Sequence, residues 1–264
     1  MSRVLPLVSN EVYKIFHQKI SYLYVFSIAG SVLLSIFGVS QVTGGTDQEG
    51  FLYLTTAMRA TFNFIGVIVL LVFSSGLISS EVEKGTVRSI LTAQISRLNF
   101  FWGKAAAALI FQEILILAAA VTGILVEMIY FGFSNPAENN ILIYTKNQMI
   151  TNFLFACLAV SLPLFAVTSY GLLISSLVRN TARALGLSIA SFIIIDIAKE
   201  KLEFAPYFFS SYIGTPFAIV DGMIQGFYFN WTPKIYHCIG ISLIWITIFL
   251  SIGTIKTIRR DFNG

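Results

Sequence analysis

Six stretches of the chain are almost continuously apolar, and each is about as long as a membrane-spanning helix must be. A helix rises about 1.5 Å per residue, so crossing the roughly 30 Å hydrocarbon core takes about 20 mainly apolar residues. The pattern predicts an all-α polytopic membrane protein of six transmembrane helices, organised as a single domain over residues 1–264. The stretches cover approximately residues 20–39, 60–79, 105–130, 150–178, 182–198 and 235–255.

The first 19 residues carry a different pattern, in which apolar side chains recur at helical spacing among polar ones. This periodicity favours an amphipathic helix over residues 1–19 that lies on the membrane surface. The alternative is that these residues continue the first transmembrane helix. The apolar positions of the repeat are Val12, Ile15, Phe16, Ile20 and Leu23.

Residues 199–234, between the fifth and sixth stretches, are rich in aromatic side chains. A water-exposed loop would not hold so many, whereas helices in the outer leaflet or its interface would place these rings at headgroup level. We predict an outer-leaflet or re-entrant segment. Its aromatic residues are Phe204, Tyr207, Phe208, Phe209, Tyr212, Phe217, Phe227, Tyr228, Phe229 and Trp231.

Composition agrees with a protein of the bilayer, because 56% of the residues are hydrophobic and only 11% are charged. The charged fraction is roughly half that of a soluble domain. The net charge of +4 does not indicate a nucleic-acid partner, since the basic residues stand in small groups at the ends of apolar stretches. With a cytoplasmic N-terminus, twelve of the 17 Lys and Arg residues fall on the inner side, which predicts that both termini are cytoplasmic and that the N-terminal helix lies on the inner leaflet.

The connection between the second and third stretches, residues 81–104, is the most densely charged segment. Val87, Ile90, Leu91 and Ile95 fall on one helical face, and Ser96 is placed to cap the next helix. A short rigid helix tied to two spans could receive force from a soluble motor. Periodicity alone favours the alternative, an ordinary interfacial loop whose apolar face rests on lipid.

A resemblance to a known family favours the first interpretation. The sequence Glu81-x-Glu83-Lys84-Gly85-Thr86, followed by Ile90-Leu91, Ile95-Ser96-Arg97 and Gly103-Lys104, resembles the intracellular loop of bacterial ABC exporter permeases of the type V fold. That superfamily serves polysaccharide, antibiotic, sodium and nitrous-oxide-reductase maturation systems. Arg259-Arg260-Asp261 is similar to the family's C-terminal end, whereas Gln94-Ile95 replaces the usual Pro before the Ser-Arg pair.

The resemblance implies a bacterial cytoplasmic (inner) membrane permease that forms a homodimer and exports its substrate. Each copy would bind a separate cognate ABC ATPase subunit, two copies in all, and ATP and Mg would be bound by that ATPase, with no cofactor in this chain. Membrane lipids and a periplasmic accessory protein are the other expected partners. The residues expected to contact the ATPase are Glu83, Lys84, Gly85, Thr86, Arg88, Leu91 and Arg97.

The sequence offers little catalytic chemistry of its own. It contains no Gly-x-x-x-x-Gly-Lys-Ser/Thr loop for a nucleotide phosphate, so ATP hydrolysis is expected on another chain. Its two histidines, His17 and His237, are predicted near opposite membrane faces, which argues against a metal site. Cys157 and Cys238 both lie in apolar stretches and are expected to be buried thiols.

Three acidic residues fall within predicted helices, where a charge is expensive. For Glu113 the alternatives are a structural hydrogen bond, a place on the substrate path and a pairing with the N-terminal helix. Glu127 and Asp196 are near outer helix ends and are expected to reach the outer surface.

Two other functions fit a protein of this layout. An ATP-independent secondary transporter or channel would be expected to show inverted repeats, broken helices or several buried ionisable residues, and little of that is visible. A membrane scaffold subunit that transports nothing would use the same fold.

Overall fold

In a computed structural model of the chain, nine α-helices, two short strands and several helical turns are described. The described residues are 4–43, 49–87, 95–131, 137–138, 141–142, 144–201, 203–225 and 231–259. The helices are α1 Val4–His17, α2 Lys19–Thr43, α3 Glu49–Thr61, α4 Val67–Glu83, α5 Arg97–Val126, α6 Lys146–Leu177, α7 Thr181–Lys201, α8 Thr215–Ile224 and α9 Trp231–Arg259.

Shorter elements join these helices. A π-helical turn, Phe62–Gly66, connects α3 to α4, and a second, Glu127–Phe131, follows α5. The strands β1 (Ala137–Glu138) and β2 (Ile141–Leu142) form a small antiparallel ladder. Two 3-10 turns precede α8, at Ala205–Tyr207 and Phe209–Tyr212.

Six helical segments of the described chain are long and apolar enough to cross a membrane, as predicted. The second is longer than predicted, because the π-helical turn keeps α3 and α4 in one helical path. Their ranges are Lys19–Phe37, Phe51–Glu83, Arg97–Tyr130, Lys146–Leu177, Thr181–Lys201 and Pro233–Arg259.

The chain turns between α1 and α2, so α1 is a helix separate from the first span. The backbone N–H of Gln18 and the hydroxyl of Ser21 both donate to the carbonyl of Ile15, at 3.2 and 2.6 Å. α1 then packs along α5. Gly103 permits the close approach, since a Cβ there would lie 2.3 Å from a methyl carbon of Leu7.

Helix α6 lies at the centre of the bundle and packs most extensively against α4 and α9. Small residues bring α4 and α6 together, as is common between membrane helices. A Cβ on Gly171 would lie 1.9 Å from the hydroxyl oxygen of Ser74. The Ser175 hydroxyl oxygen accepts hydrogen bonds from the backbone N–H groups of Ile78 and Ser79, at 3.0 and 2.9 Å.

Part of the aromatic segment packs inside the bundle. Phe208, Phe209 and Phe217 are buried in the hydrophobic core, while Tyr207 exposes its ring and accepts a hydrogen bond at its carbonyl from Trp245 Nε1 at 2.8 Å. These three rings therefore stabilise the protein core and are not available as headgroup anchors. The predicted members Phe227, Tyr228 and Phe229 lie outside the described residues.

Candidate functional site

The described members of the predicted ATPase contact, Glu83, Lys84, Gly85, Thr86 and Arg97, lie at one end of the bundle. This end, called here the α4–α5 end, is formed by α1, the end of α4, the start of α5, the start of α7 and the end of α9. Contacts between side chains establish the arrangement: Lys104 on α5 meets Glu11 on α1, Glu83 on α4 meets Thr181 on α7, and Arg97 meets Ile258 on α9. The connection from α4 to α5 emerges from this end.

A four-residue ion-pair cluster joins three of these helices. Lys104 Nζ lies 2.9 Å from Glu11 Oε2 and 3.0 Å from Glu81 Oε1, and it is 1% exposed. Lys14 Nζ bridges the same two carboxylates, at 2.8 Å from Glu11 Oε1 and 3.2 Å from Glu81 Oε1. The cluster thus ties α1 to both helices that flank the predicted coupling segment.

The cluster favours the charged forms of Glu11 and Lys14 despite their burial. Burial alone would raise the pKa of Glu11, but the ammonium groups of Lys104 and Lys14 outweigh it and hold that pKa below its ordinary range. Burial would likewise lower the pKa of Lys14, and hydrogen bonding and attraction to Glu11 and Glu81 raise it instead. The opposite charges around Glu11 and Lys14 therefore stabilise the charged form of each.

Glu83, one of the predicted ATPase contacts, forms hydrogen bonds within the chain. Its carboxylate accepts from Asn180 Nδ2 at 2.7 Å and from the backbone N–H of Thr181 at 2.9 Å. The first N–H groups of a helix have no partner inside it, and a carboxylate there also meets the positive end of the helix dipole. Glu83 therefore ties the end of α4 to the start of α7.

The next three predicted contacts form a turn that leaves α4. The backbone N–H of Lys84 donates to the carbonyl of Ser80 at 3.1 Å, and Gly85 follows with a φ of 72°. That left-handed conformation favours glycine, because other residues carry a Cβ that clashes there. The Thr86 hydroxyl donates back to the carbonyl of Glu81 at 3.2 Å. The Lys84 side chain is exposed.

Helix α5 begins at Arg97, directly after Ser96. The Ser96 side chain accepts a hydrogen bond from the N–H of Asn99 at 3.1 Å, so the predicted N-cap of α5 is confirmed. Arg97 donates to the carbonyl of Ile258 near the end of α9, at 2.8 Å. The predicted contacts Arg88 and Leu91 lie outside the described residues.

The three acidic residues of the spans have different environments. Glu113 is partly buried and accepts a weak hydrogen bond, at 3.4 Å, from its neighbour Gln112. Asp196 pairs with Lys199 at 2.6 Å and accepts from the Ser210 hydroxyl.

The expectation that Glu127 reaches the outer surface is wrong. Its side chain is 0% exposed, and among the described residues neither carboxylate oxygen has a hydrogen-bond partner. It opens the π-helical turn after α5, which packs against α3. The longer helical path of the second span places α3 over this position, and sequence hydropathy could not reveal that contact.

The cysteines are buried free thiols, as predicted for Cys157 and Cys238. Within the described ranges, no group of three or more His, Cys, Asp or Glu side chains is placed to hold a metal ion.

The sequence also matches a known family. The profile described as ABC-2 family transporter protein matches residues 7–196, a range that includes the ion-pair cluster and the α4–α5 connection. The chain therefore belongs to the ABC-2 family of transporter proteins, as a membrane permease. Members of this family generally act together with an ABC ATPase and are generally not catalytic themselves.

Two proteins of Bacillus subtilis (strain 168) are similar to the chain. The uncharacterized membrane protein YdbK is 25% identical over 259 residues, which cover 94% of this chain and 98% of YdbK. The uncharacterized protein YhcI is 25% identical over 136 residues, covering 49% of this chain and 44% of YhcI. The likeness to YdbK thus extends over nearly the whole length of both chains.

Sequence reasoning missed the ion-pair cluster. In the sequence, Lys104 stands out only as part of the Gly103-Lys104 element of the loop motif, and no role is assigned to Glu11. The sequence carries one signal of the cluster: each of three segments that border apolar stretches contains a charged residue. Hydropathy gives no pairing between residues that are 93 positions apart, as Glu11 and Lys104 are.

Proposed function

We propose that this chain is the permease subunit of an ATP-driven ABC exporter, that two copies enclose the translocation path, and that each copy binds a separate ATPase subunit at the α4–α5 end. Membership of the ABC-2 family supports the permease role. In the proposal, ATP and Mg belong to the ATPase, and this chain hydrolyses nothing. Closure of the two ATPases would push on the permease, and the spans would respond as rigid bodies.

The observation that carries the proposal is the bracing of the α4–α5 connection. On its α4 side, Glu83 bonds to the start of α7 and Glu81 bonds to Lys104 and Lys14. On its α5 side, Arg97 bonds to the end of α9. A push on this connection would therefore reach α1, α4, α5, α7 and α9 together, as a coupling element requires.

The distribution of basic residues supports a cytoplasmic location for the α4–α5 end and for both termini. Lys14, Lys84, Lys104 and Arg97 all lie at this end, and cytoplasmic segments of membrane proteins carry an excess of Lys and Arg. A cytoplasmic ATPase could then reach the connection. The membrane in question is the bacterial cytoplasmic (inner) membrane.

In this orientation α1 lies at the inner leaflet. One side of α1 packs on α5 through Leu7 and buries Ile15 and Glu11, while Tyr13 and Phe16 on its surface remain exposed. Exposed rings on such a helix suit the interfacial zone of a bilayer. The aromatic segment before α9 then lies on the outer side, where a periplasmic accessory protein would bind.

Co-purification with an ATPase encoded beside the permease tests the proposal. The two proteins should form a stable complex whose ATPase rate responds to the permease, and Lys84→Glu should weaken that complex strongly. Lys84 suits the test because its charge is exposed, and Lys201→Glu, at the opposite end of the bundle, is the matched control. We expect the control to bind as the wild type does.

Charge reversal at the other predicted contacts gives a second arm. Exchanging the charges of Glu83 and Arg88 should also impair coupling, although Glu83 additionally caps α7. Intact complex formation and coupling in both variants would contradict the proposed contact. Transport by the permease alone in liposomes would favour the secondary transporter.

A further inference from the structure

A groove opens at the α4–α5 end between α1, α2, α4 and α7. Its volume is about 700 Å³, within the roughly 300–1,000 Å³ range of small-molecule sites. One end is lined by the ion-pair cluster and Lys84, and the wall continues along α4 from Ser80 to Val72. That distance is eight residues of helix, or about 12 Å. We call this cavity the α1–α4 groove.

The wall of the groove away from the cluster is apolar. Tyr24 on α2, Phe73 and Leu77 on α4 and Leu185 on α7 line it. Gly76 lies among them, and a Cβ built on it meets nothing within 4 Å. The groove is therefore open at the middle of α4, within a span, where the surrounding solvent is acyl chain and not water.

The charged end of the groove carries one excess positive charge. Lys14, Lys84 and Lys104 stand against two carboxylates, Glu11 and Glu81. Four of these five groups pair with one another in the cluster. In the described part of the chain, no carboxylate lies within ion-pair distance of the Lys84 ammonium. The Glu83 carboxylate attracts Lys84 from beyond that distance but is itself bound by Asn180 and Thr181. An anionic group at this end would complete the charge balance of the groove lining.

One acceptor at the same end has no donor among the described residues. Glu81 directs Oε1 to both lysines, while no described group forms a hydrogen bond to its buried Oε2. An unpaired buried oxygen is costly, and a hydroxyl or ammonium from outside the chain would satisfy it. A ligand that fits this groove therefore combines an anionic group, a hydrogen-bond donor and a long apolar portion in one molecule.

We propose that the α1–α4 groove binds a glycerophospholipid, with its phosphate at Lys84, a headgroup hydroxyl or ammonium at Glu81, and an acyl chain along Tyr24, Phe73 and Leu77. The inference goes beyond the proposed function and does not depend on an ATPase. A free phosphate would satisfy Lys84 but leave the apolar wall empty. A lipid of the adjoining leaflet fits both ends of the groove.

Native mass spectrometry of the full chain with phosphatidylglycerol tests the site. The wild type should hold one tightly bound lipid, and Gly76→Leu should reduce its affinity at least about tenfold by filling the groove. The variant should fold, because the added side chain enters open space and leucine favours helix. Gly240→Leu on α9 is the matched control, since a Cβ there also meets nothing within 4 Å.

Headgroup recognition provides the second readout. Lys84→Gln should weaken phosphatidylglycerol binding several-fold, whereas Lys201→Gln should not, and diacylglycerol, which lacks the phosphate, should bind the wild type weakly. Unchanged binding in both Gly76→Leu and Lys84→Gln would overturn the proposal. Equal binding of diacylglycerol, or displacement of the lipid by millimolar inorganic phosphate, would overturn it too.

Discussion

Lys104 is a buried cation on a helix that is otherwise largely apolar, and its position depends on two carboxylates from other helices. Removing one partner of a buried ion pair is more damaging than removing an exposed one, because a charge then remains buried without compensation. Lys14 contacts the same carboxylates but is 39% exposed, so water can replace it. The two lysines form a natural comparison.

We expect Lys104→Met to destabilise the protein by about 3–5 kcal/mol, the range for an uncompensated buried charge. Lys14→Met should cost about 0–1 kcal/mol, as exposed pairs do. Thermal unfolding in detergent measures both. Equal losses of stability in the two variants would mean that Lys104 contributes no more to the ion-pair cluster than Lys14 does.

The cluster should also make stability depend on pH. The pKa of Glu11 is lower in the folded protein than its ordinary value of 4.5. The Glu11 carboxylate therefore contributes fully to folding stability above pH 4.5, and this contribution is lost as the pH falls through the pKa of the folded state. Lys14 has a raised pKa, so its contribution to folding stability is complete below its ordinary value of 10.5 and is lost as the pH rises above that value.

Thermal midpoints measured from neutral pH to below 4.5 test the acidic limb. The wild type should lose stability over that range, while Glu11→Gln should start lower and lose less, because it lacks the titrating carboxylate. Parallel curves for the two proteins would contradict this assignment.

Glu127 presents the reverse case, a buried carboxyl to which no described residue forms a hydrogen bond. Burying a carboxylate in this way costs free energy that a neutral amide of the same shape does not incur. Glu127→Gln should therefore unfold at the same temperature as the wild type or a higher one. A clear drop in the midpoint would show that the carboxyl is paired and contributes to stability.

At the scale of helices, the start of α5 depends on a single hydroxyl. Ser96→Ala should cost about 1 kcal/mol by removing the N-cap, and Ser96→Asp should retain stability because Asp caps equally well. Amide hydrogen exchange over the first turn of α5 separates the two variants. Equal protection in both would show that the cap is dispensable.

The helices were largely predictable because their signals are local. An apolar run of sufficient length specifies a span, and a serine before such a run specifies an N-cap, so the six spans and the role of Ser96 followed from the sequence. The turn between α1 and α2 was visible only as one of two alternatives. It depends on packing of α1 against α5, through Leu7 and Gly103.

The candidate site was predictable as a segment but not as an arrangement. The motif identified the α4–α5 connection and its charged residues. It could not show that Glu83 caps α7, 98 positions away, or that Lys104 joins two carboxylates. Both contacts are long-range pairings that a single sequence does not encode in any local pattern.

For the whole molecule, the bracing around the α4–α5 end explains how a small surface could move several spans. Ion pairs, a helix cap and the Arg97 contact link five helices to one connection, and α6 joins α4 to α9 in the core. The proposed coupling requires this end to face the cytoplasm, within reach of an ATPase. If this end faced outward, a cytoplasmic ATPase could not reach the linked helices.

Cysteine labelling of Lys84→Cys tests that requirement most directly. In a background carrying Cys157→Ala and Cys238→Ala, a membrane-impermeant maleimide should label this cysteine in inside-out vesicles but not in intact cells, and bound ATPase should protect it. Lys201→Cys, at the opposite end, should show the reverse accessibility. Labelling of Lys84→Cys in intact cells would contradict the account.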